Sequence, residues 1–490
     1  MSSTAHFPNP NDFQNQTDQF LNWLSGSSGV KVNPKIHIAD LRSQAAGRGV
    51  VAQADILEGE ELFTIPRELV LSTQNSKLKD LLSHDLEELG PWMSLMLVMV
   101  YEYLLGDQST WAEYFKVLPR KFDTLMFWTA SELQELQGSA IVDKIGKQSA
   151  DESILEMIAP IVRNNPTLFP PTNGLSSYDG DVGTQSLLSL AHMMGSLIMA
   201  YAFDIEKSEH EGEDEGESGY MTDEDEEQLP KGMVPLADLL NADADRNNAR
   251  LFQEEDSLVM KAIKPISHGN EIFNDYGEIP RADLLRRYGY VTENYAVYDV
   301  IEMPLELICK AAGLENADVE NQTSLQFIED LELLDDGYVI PRPSEGNSVA
   351  NILPDELVLL LKALTFSPTQ LKQQISKNKP PKASFGHAEA VILSKAIQLL
   401  QAQYATTVAQ DKELLAQLGQ SETSSLLEES TRRRKMAIQV RLGEKEILHI
   451  LSTLLNDYAT DSTQNGEGST SKRTANGEND ALRRSKVPKP

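Results

Sequence analysis

The N-terminal part of the chain contains two kinds of apolar pattern. Short apolar runs at 36–38, 49–52 and 61–65 lie between turn residues and predict β-strands. From about 77 to 205 the apolar runs are longer and recur at helical spacing, as in MSLMLVMVYEYLL and SLLSLAHMMGSLIMAYAF. A short amphipathic helix is predicted over Asp18–Leu24. The pattern therefore predicts a β-structure into which a helical segment is inserted.

Strand-like segments return after this insertion. The runs 258–262 and 271–276 enclose a turn at Pro265–Gly269. The pattern I-x-x-G-x-E-[LI]-F occurs twice, beginning at Ile56 and at Ile266, and in each copy a glycine turn leads into a strand. Two similar β-units so far apart in sequence predict one small β-fold that the helical segment interrupts.

The chain from about 300 to 457 has only helical periodicity. Pro354 precedes the run LVLLLKALTF, which stops before Pro368. Two further apolar stripes fall at helical spacing and predict core helices: Leu393, Ile397, Leu400 and Tyr404, then Ile447, Leu448, Leu451, Leu454 and Leu455. The predicted fold class is α+β, with a β-core, a helical insertion and a following all-α domain.

Charge is distributed unevenly. The whole chain has 43 basic and 75 acidic residues, a formal net charge of −32. This balance argues against a general nucleic-acid binder, which needs cations to neutralise phosphates. It suits either a basic partner, which an opposite field attracts, or solubility alone. Residues 206–227 include twelve acidic residues and one lysine, and we expect a solvated, disordered loop at 206–228. Electrostatic attraction of a substrate, or phosphorylation of Thr222, is the alternative for this loop.

Several chemistries are excluded by what the sequence lacks. The single Cys309 cannot form an internal disulfide or a thiolate zinc cluster, and the eight histidines are scattered, so we expect no metal. No apolar run reaches the ~20 residues of a membrane span, and the N-terminus does not have the pattern of a secretory signal. The GxxxxGK[ST] and GxGxxG loops of nucleotide enzymes and the GxSxG elbow of hydrolases are also missing from the sequence.

Three motifs in a fixed order carry the candidate chemistry. The first is the glycine turn at 46–50, AGRGV. The second is VPLADLLNAD at 234–243, followed by NNA at 247–249. The third is EIFNDYG at 271–277, followed by LLRRYGY at 284–290. Taken together, they resemble the SET-domain protein-lysine methyltransferases. With the helical insertion and C-terminal domain, the chain resembles the subgroup of Rubisco large-subunit methyltransferase and SET-domain-containing protein 6. It is most like the fungal ribosomal lysine N-methyltransferase 4 group.

The resemblance implies roles for individual residues. It implies S-adenosyl-L-methionine as cofactor, held by Ala46, Gly47, Arg48, Tyr201, Asn241, Ala242 and Tyr288. It places Tyr276 as the catalytic hydroxyl that orients the lysine amine. It places Trp111, Ala202 and Phe203 at the protein substrate, although a tryptophan in a helical insertion is by default a packing residue. Ala242 stands where histidine is commoner in the family, and it keeps only the backbone groups that could contact adenine.

The resemblance also implies a domain plan. We expect a disordered N-terminus at 1–17 and a SET domain at 18–296, with its insertion at about 77–205. A helical substrate-binding domain then follows at 300–457, and a disordered basic tail at 458–490. In this tail, Lys472-Arg473 and Arg483-Arg484-Ser-Lys486 resemble a bipartite nuclear import signal, so we expect a nuclear protein that is also cytoplasmic.

The implied function is methyl transfer from S-adenosyl-L-methionine to a lysine of a basic protein, such as a large-subunit ribosomal protein. We expect a monomer with no direct nucleic-acid contact and no membrane association. Two alternatives stay open at the level of sequence. One is a SET-fold scaffold without activity, which the intact Tyr276 disfavours and Ala242 permits. The other is transfer to a different acceptor, such as histidine.

Overall fold

The structure, a computed structural model, describes residues 10–42, 46–172, 174–206, 229–314, 323–377, 379–419 and 425–464. It divides into two compact units. The first takes the chain up to Phe127 together with Gly146–Glu278 and Arg287–Gly289. The second takes Trp128–Ile145, Ile279–Arg286 and the chain from Tyr290 onwards. The acidic loop after Glu206 and the basic tail after Gln464 lie outside the described residues.

The first unit contains short antiparallel strands in three small sheets, ordered β1-β4-β9-β8, β10-β3-β2 and β5-β7-β6. The strands are β1 (Lys31–Val32), β2 (Ile36–Asp40), β3 (Arg48–Ala52), β4 (Glu61–Pro66), β5 (Leu71–Ser72), β6 (Ala202–Asp204), β7 (Lys231–Met233), β8 (Ala249–Gln253), β9 (Ser257–Ala262) and β10 (Glu271–Ile272). The sheets thus pair strands from both sides of the helical insertion, as the repeated pattern predicts.

Helices occupy most of the chain between the two groups of strands. In chain order the helices up to this point are α1 (Pro10–Gly26), α2 (Leu78–Leu81), α3 (Ser83–Glu88), α4 (Pro91–Leu105), α5 (Ala112–Val117), α6 (Ala130–Leu133), α7 (Lys147–Ser153), α8 (Ala159–Asn164) and α9 (Gly180–Tyr201). Of these, α6 belongs to the second unit. A π-helical turn at Ile154–Ile158 joins α7 to α8.

Helices α4 and α9 form the centre of the first core. Residues from Ser94 to Glu102 are all buried in α4, which explains why that segment is apolar on every side. Each large aliphatic side chain buried there contributes about 1.5–3 kcal/mol. The one acidic residue, Glu102, accepts hydrogen bonds from the hydroxyls of Ser76 and Ser109, both at 2.6 Å. Across the described residues, none of the helices has the length and apolarity that crossing a bilayer requires.

The first helix begins at Pro10 rather than at Asp18. The sequence between these residues is polar and predicts no structure, but Phe13 and Thr17 are buried, at 2% and 1% exposure. The Arg48 guanidinium lies 4.0 Å above the centre of the Phe13 ring and that of Arg42 lies 4.4 Å from it. The prediction of disorder up to residue 17 is therefore wrong for the described part, because tertiary contacts order a helix that propensity alone does not indicate.

Among its described residues, the second unit is mainly helical and has one antiparallel strand pair, β11 (Val300–Pro304) with β12 (Gly337–Pro341). Its remaining helices are α10 (Arg281–Tyr288), α11 (Leu305–Ala311), α12 (Thr323–Glu329), α13 (Val349–Ile352), α14 (Asp355–Leu364), α15 (Pro368–Lys377), α16 (His387–Gln401), α17 (Val408–Leu418) and α18 (Ser425–Gln464). Helix α10 ends in residues of the first unit. The predicted helix after Pro354 is confirmed as α14, with Pro354 as its N-cap.

The predicted apolar stripes form the core of this unit. Leu393, Ile397 and Leu400 of α16 pack in one buried cluster with Ile447 and Leu451 of α18. The 3.6-residue period of a helix places these side chains on one face, and burial of that face stabilises two helices that propensity alone would not hold. The periodicity of the sequence therefore predicts both helices and their buried sides.

Candidate active site

The glycine turn at 46–50 leads into β3 and forms the first part of the candidate site. Gly47 has a φ of +67°, which glycine adopts without the steric cost of a side chain. The Leu41 amide donates to the Gly47 carbonyl at 2.8 Å, and the Ala46 amide donates to the Leu41 carbonyl at 3.2 Å. Ala46 and Gly47 are partly exposed. The turn consequently offers backbone groups to a ligand.

The Arg48 side chain points into the protein. Its guanidinium is buried and donates to Thr17 Oγ1 at 3.1 Å, to the Val117 carbonyl at 3.1 Å and to the Phe13 carbonyl at 3.2 Å. Burial, together with the positive charge of Arg42, lowers the pKa of Arg48 to about 10. What Arg48 can offer a cofactor is its backbone, because its side chain joins α1 and α5 to the turn.

The second and third motifs lie side by side. Ala242 forms a parallel β-bridge with Asn274. The Asn274 amide donates to the Asn241 carbonyl at 2.9 Å, and the Asp243 amide donates to the Asn274 carbonyl at 3.2 Å. This pairing of Asn274 with the Asn241 segment also explains why strand β10 ends at Ile272 and does not continue to Tyr276. At Asn274 the backbone pairs with the Asn241 segment instead of with β3.

Asn241 links all three motifs through its side chain. Its Nδ2 donates to the Arg48 carbonyl at 3.2 Å and to Glu271 Oε1 at 2.6 Å. The next acidic residue, Asp243, is buried and binds the Arg246 guanidinium at 2.6 Å. Burial raises the pKa of Asp243, but the hydrogen bonds from Arg246 outweigh it and lower the pKa overall. The Asn-containing motif is thus held by both neighbouring motifs.

Tyr276 and Tyr288, which the resemblance assigns to one site, are brought together. Their rings stack with centroids 4.1 Å apart and planes 7° from parallel. An Asx-type turn, in which the Gly277 amide donates to Asp275 Oδ1 at 2.8 Å, holds the backbone beside Tyr276. Gly289 has a φ of +76°, and a Cβ there would lie 2.9 Å from the Thr124 amide nitrogen. Glycine is therefore required beside Tyr288.

Tyr201 ends α9 and lies next to this pair. Burial raises its pKa, and the negative charge of Asp238 and the phenol of Tyr288 add to the rise. Burial likewise raises the pKa of Tyr288. Phenols with raised pKa values stay protonated at neutral pH, so each can donate one hydrogen bond, can also accept, and does not compete as a nucleophile.

The sequence analysis missed the pair formed by Asp238 and Tyr114. Both side chains are buried, and the Tyr114 hydroxyl donates to Asp238 Oδ2. Burial raises the pKa of Asp238 to about 7, against the opposing effect of the Tyr114 hydrogen bond. Within the described residues, Asp238 Oδ1 is buried and has no hydrogen-bond partner. The only signal in the sequence was a charged residue inside the apolar run VPLADLLNAD.

The three residues assigned to the protein substrate lie in different surroundings. Ala202 and Phe203 belong to β6, which lies at an edge of the β5-β7-β6 sheet, and both are partly exposed. Trp111 is only 2% exposed, and its indole N–H donates to the Leu69 carbonyl at 2.8 Å. The geometry shows Trp111 in a packing role, and its contact with substrate stays a prediction. Among the described residues, no group of three or more His, Cys, Asp and Glu side chains could hold a metal ion.

This arrangement suits transfer to an amine. An aromatic ring accepts a cation on its free face, and the oxygen of a protonated phenol can accept a hydrogen bond from an amine N–H and so orient the amine lone pair. The exposed backbone of the glycine turn and the Asn241 carboxamide provide donors and acceptors for a polar ligand. The residues present therefore fit a cationic, polar cofactor such as S-adenosylmethionine.

Two family models match the chain. Residues 47–277 match the model described as SET domain. Residues 310–448 match the model described as Rubisco LSMT substrate-binding. The first match begins at the glycine turn and ends at Gly277, after Tyr276. It thus contains all three motifs except Ala46 of the first and the LLRRYGY segment of the third.

Relatives of known name align over most of the chain. It is similar to ribosomal lysine N-methyltransferase 4 of Saccharomyces cerevisiae, with 34% identity over 81% of this chain and 80% of that protein. It is also similar to N-lysine methyltransferase setd6 of Xenopus laevis, with 27% identity over 89% of this chain and 94% of that protein. For N-lysine methyltransferase SETD6 of Homo sapiens the identity is 27%, over 88% of this chain and 89% of that protein.

Solved structures share the fold. The structure of Rubisco LSMT bound to AdoMet superposes with a TM-score of 0.65, at 20% identity, and covers 92% of this chain and 93% of that chain. The SET domain of LSMT bound to lysine and AdoHcy gives a TM-score of 0.64 with the same coverage. The agreement extends over both units of the chain.

Proposed function

The chain belongs to the SET-domain family, and on this premise we propose that it transfers a methyl group from S-adenosyl-L-methionine to a lysine side chain of another protein. The observation that carries the proposal is the stack of Tyr276 on Tyr288, close to Tyr201. The Tyr201 phenol is close enough to Tyr288 to interact with it electrostatically, and the backbone two residues before Tyr276 pairs with the Asn241 segment. The relative that is 34% identical is itself named a lysine methyltransferase.

The cofactor supplies an electrophilic methyl group on a sulfonium when bound. Ala46, Gly47 and the Arg48 backbone, with Asn241, the Ala242 backbone, Tyr201 and Tyr288, are the groups we propose to hold it. Ala242 keeps the backbone position through its bridge to Asn274, so the absence of the commoner histidine leaves that part of the site formed. The aromatic rings can face the positive charge.

Tyr276 is the residue we propose to orient the amine. A lysine side chain has a reference pKa of ~10.4 and must lose its proton before it can attack. Partly buried aromatic surroundings favour the neutral amine over the ammonium. The oxygen of the phenol hydroxyl can then accept a hydrogen bond from an amine N–H, which leaves the nitrogen lone pair free and in line with the methyl group. Such positioning supplies much of the acceleration in a displacement reaction.

The substrate we propose is a basic protein, specifically a large-subunit ribosomal protein. Two observations support it: the formal charge of −32, which attracts a basic partner, and the similarity to a Saccharomyces cerevisiae protein that is named a ribosomal lysine N-methyltransferase. Ala202 and Phe203 on the edge strand β6 are the residues that we place beside the substrate. We propose that the enzyme acts as a monomer, in the nucleus and also in the cytoplasm.

Incubation of the full-length protein with methyl-labelled cofactor and ribosome-depleted or ribosome-containing cell extract tests this function. We expect label in one basic protein, on a lysine that mass spectrometry identifies. Label on histidine would show that the acceptor is histidine rather than lysine. Label in a non-ribosomal protein would show that the substrate is not ribosomal. If cofactor binds but no extract protein is labelled, the fold acts as a binding scaffold.

A further inference from the structure

The two copies of the pattern I-x-x-G-x-E-[LI]-F are structural equivalents. Ile56 and Ile266, the first residue of each copy, pair in an antiparallel bridge with reciprocal hydrogen bonds of 2.9 and 3.0 Å. The glycine amide of each copy donates to a carbonyl beside the other copy, Gly59 to Ala262 at 2.8 Å and Gly269 to Ala52 at 2.7 Å. The copies are thus related by a local two-fold arrangement.

The glutamates of the two copies have different surroundings. The Glu61 side chain is 55% exposed, and its carboxylate lies 4.0 Å from Lys261 Nζ. Glu271 is partly buried and accepts the Asn241 amide at 2.6 Å. Asn248 holds the backbone of Glu271 in place, because its Nδ2 donates to the Glu271 carbonyl at 3.0 Å. Equivalent positions in the repeat therefore differ in exposure and in contacts: Glu61 faces Lys261 at the surface, and Glu271 contacts Asn241.

The contacts of Asn241 fix the orientation of its carboxamide. A backbone carbonyl only accepts hydrogen bonds, so the atom that faces the Arg48 carbonyl must be Nδ2. The second hydrogen on Nδ2 goes to Glu271. In the part of the chain that the structure describes, no hydrogen bond within the protein ends on Asn241 Oδ1. With both donors used inside the protein, Oδ1 is the group left for a ligand, and it can only accept.

Gly49 makes the approach of Glu271 possible. A Cβ at this position would lie 2.7 Å from Glu271 Oε1, 3.0 Å from Asn241 Nδ2 and 2.4 Å from Leu41 Cδ1. Contacts under 3.0 Å force a shift, and two of these atoms form the hydrogen bond itself. The two glycines of the turn thus have different roles: Gly47 adopts the positive φ, and Gly49 has no side chain that would clash. It leaves room for the carboxylate beside Asn241.

We propose that Glu271 is a positioning residue for cofactor binding, acting through Asn241. By accepting one Nδ2 hydrogen, Glu271 keeps Asn241 Oδ1 turned towards the cofactor, where it accepts from an amino group of S-adenosylmethionine. This inference rests on the proposed function, since it concerns the cofactor of that reaction. Glu271 itself does not contact the reacting atoms.

Two variants of similar length separate positioning from packing. Glu271→Gln keeps an oxygen that can accept from Asn241, whereas Glu271→Met fills the same space without an acceptor. Glu61→Met makes the same change at the equivalent, exposed position of the repeat and serves as the matched control. The measurements are the Kd of S-adenosylhomocysteine by calorimetry, and KM for the cofactor and kcat in methyl transfer.

We expect Glu271→Met to raise both the Kd and the cofactor KM by about tenfold, with kcat within about twofold, because one oriented hydrogen bond is lost from binding. Glu271→Gln should stay within about threefold of the unchanged protein, and Glu61→Met should have no effect. Equal losses in Glu271→Met and Glu271→Gln, or a loss confined to kcat, would overturn the positioning role. Unchanged cofactor affinity in Glu271→Met would do the same.

Calorimetry also distinguishes failure of this inference from failure of the proposed function. If the unchanged protein does not bind S-adenosylhomocysteine, the proposed function itself is wrong. If it binds, the comparison of variants stands whether or not a protein substrate is known. Should Glu271→Met not fold, Gly49→Ala in its place must weaken cofactor binding relative to the unchanged protein, because its Cβ displaces the same carboxylate. Normal binding by Gly49→Ala contradicts the proposal.

Discussion

Tyr276 differs from phenylalanine by one hydroxyl, and the proposed reaction depends on that group. We expect Tyr276→Phe to lower the rate of methyl transfer by roughly two orders of magnitude, as loss of one oriented hydrogen bond at a reacting centre does. The ring stack on Tyr288 remains, so the free energy of unfolding should change by no more than about 1 kcal/mol. Tyr103→Phe, on α4, is the control and should keep the normal rate. A normal rate in Tyr276→Phe would show that another residue orients the amine.

The raised pKa of the single residue Asp238 predicts that the stability of the protein depends on pH. Its folded pKa of about 7 lies above the ordinary aspartate pKa of 3.8, so between these pH values the folded state holds a proton that the unfolded chain releases. This group therefore lowers stability as pH rises through the interval between these values, and the full cost is present above the folded pKa. Asp238→Asn keeps an acceptor for Tyr114 and removes the titration.

The measurement is the free energy of unfolding of both proteins between pH 5.5 and 8.5. We expect Asp238→Asn to gain on the order of 2 kcal/mol relative to the unchanged protein over this range, from ~1.4 kcal/mol per pKa unit. A difference between the two proteins that is flat with pH would mean that Asp238 titrates as an ordinary carboxyl.

Ion pairs in a buried charged cluster link helix α18 to helix α17. Asp411, fully buried, binds the Arg441 guanidinium at 2.9 Å and also pairs with Lys445. The two cations outweigh the effect of burial and lower the pKa of Asp411. Removing one partner from a buried pair leaves charge without compensation. The contact between these helices thus depends on one carboxylate.

We expect Asp411→Ala to lower the free energy of unfolding of the second unit by about 3–5 kcal/mol, the usual cost of an unpaired buried charge. Its neighbour provides the control: Lys412 is 59% exposed and pairs with Glu446 at 3.1 Å, so Lys412→Ala should cost less than about 1 kcal/mol. Thermal unfolding followed by calorimetry checks both. Equal effects of the two substitutions would show that the cluster adds nothing to stability.

At the scale of the whole molecule, the acidic loop sets the expected response to salt. Deletion of 209–227 removes many of the negative charges of that loop but no apolar pattern, so we expect the fold to survive. At low salt, the deletion variant should associate with a basic protein substrate more slowly than the unchanged protein does. At high salt the two rates should be equal, because salt screens the charges of the loop. Stopped-flow association at two salt concentrations checks this. An unchanged rate at low salt would leave the loop a role in solubility alone.

The basic tail predicts where the protein is found. The backbone of α18 continues to Gln464, so the truncation should follow that residue rather than Thr460. We expect the truncated protein to leave the nucleus and to keep its methyl transfer, since the basic clusters at 472–486 lie beyond the last helix. Microscopy of both tagged proteins provides the measurement. Nuclear entry of the truncated form at the normal level would exclude the tail as the signal.

The sequence by itself determined the elements and the family. Periods of two and 3.6 residues follow from backbone geometry, which is local, so β3, β4, α4, α9 and α14 were predictable. The three motifs were recognisable because their residues and their order along the chain resemble those of the SET-domain family. The tail and the acidic loop were visible as composition alone.

Only the tertiary structure decided which side chains meet. Tyr114 and Asp238 are separated by 124 residues, and Asn241 and Glu271 by 30, and no local pattern encodes such pairs. Burial then decides the chemistry of each pair, since loss of water shifts pKa values and makes each hydrogen bond matter more. The same holds for Arg48, whose motif is readable in sequence while the direction of its side chain depends on α1 and α5. Long-range packing supplied what local propensity could not.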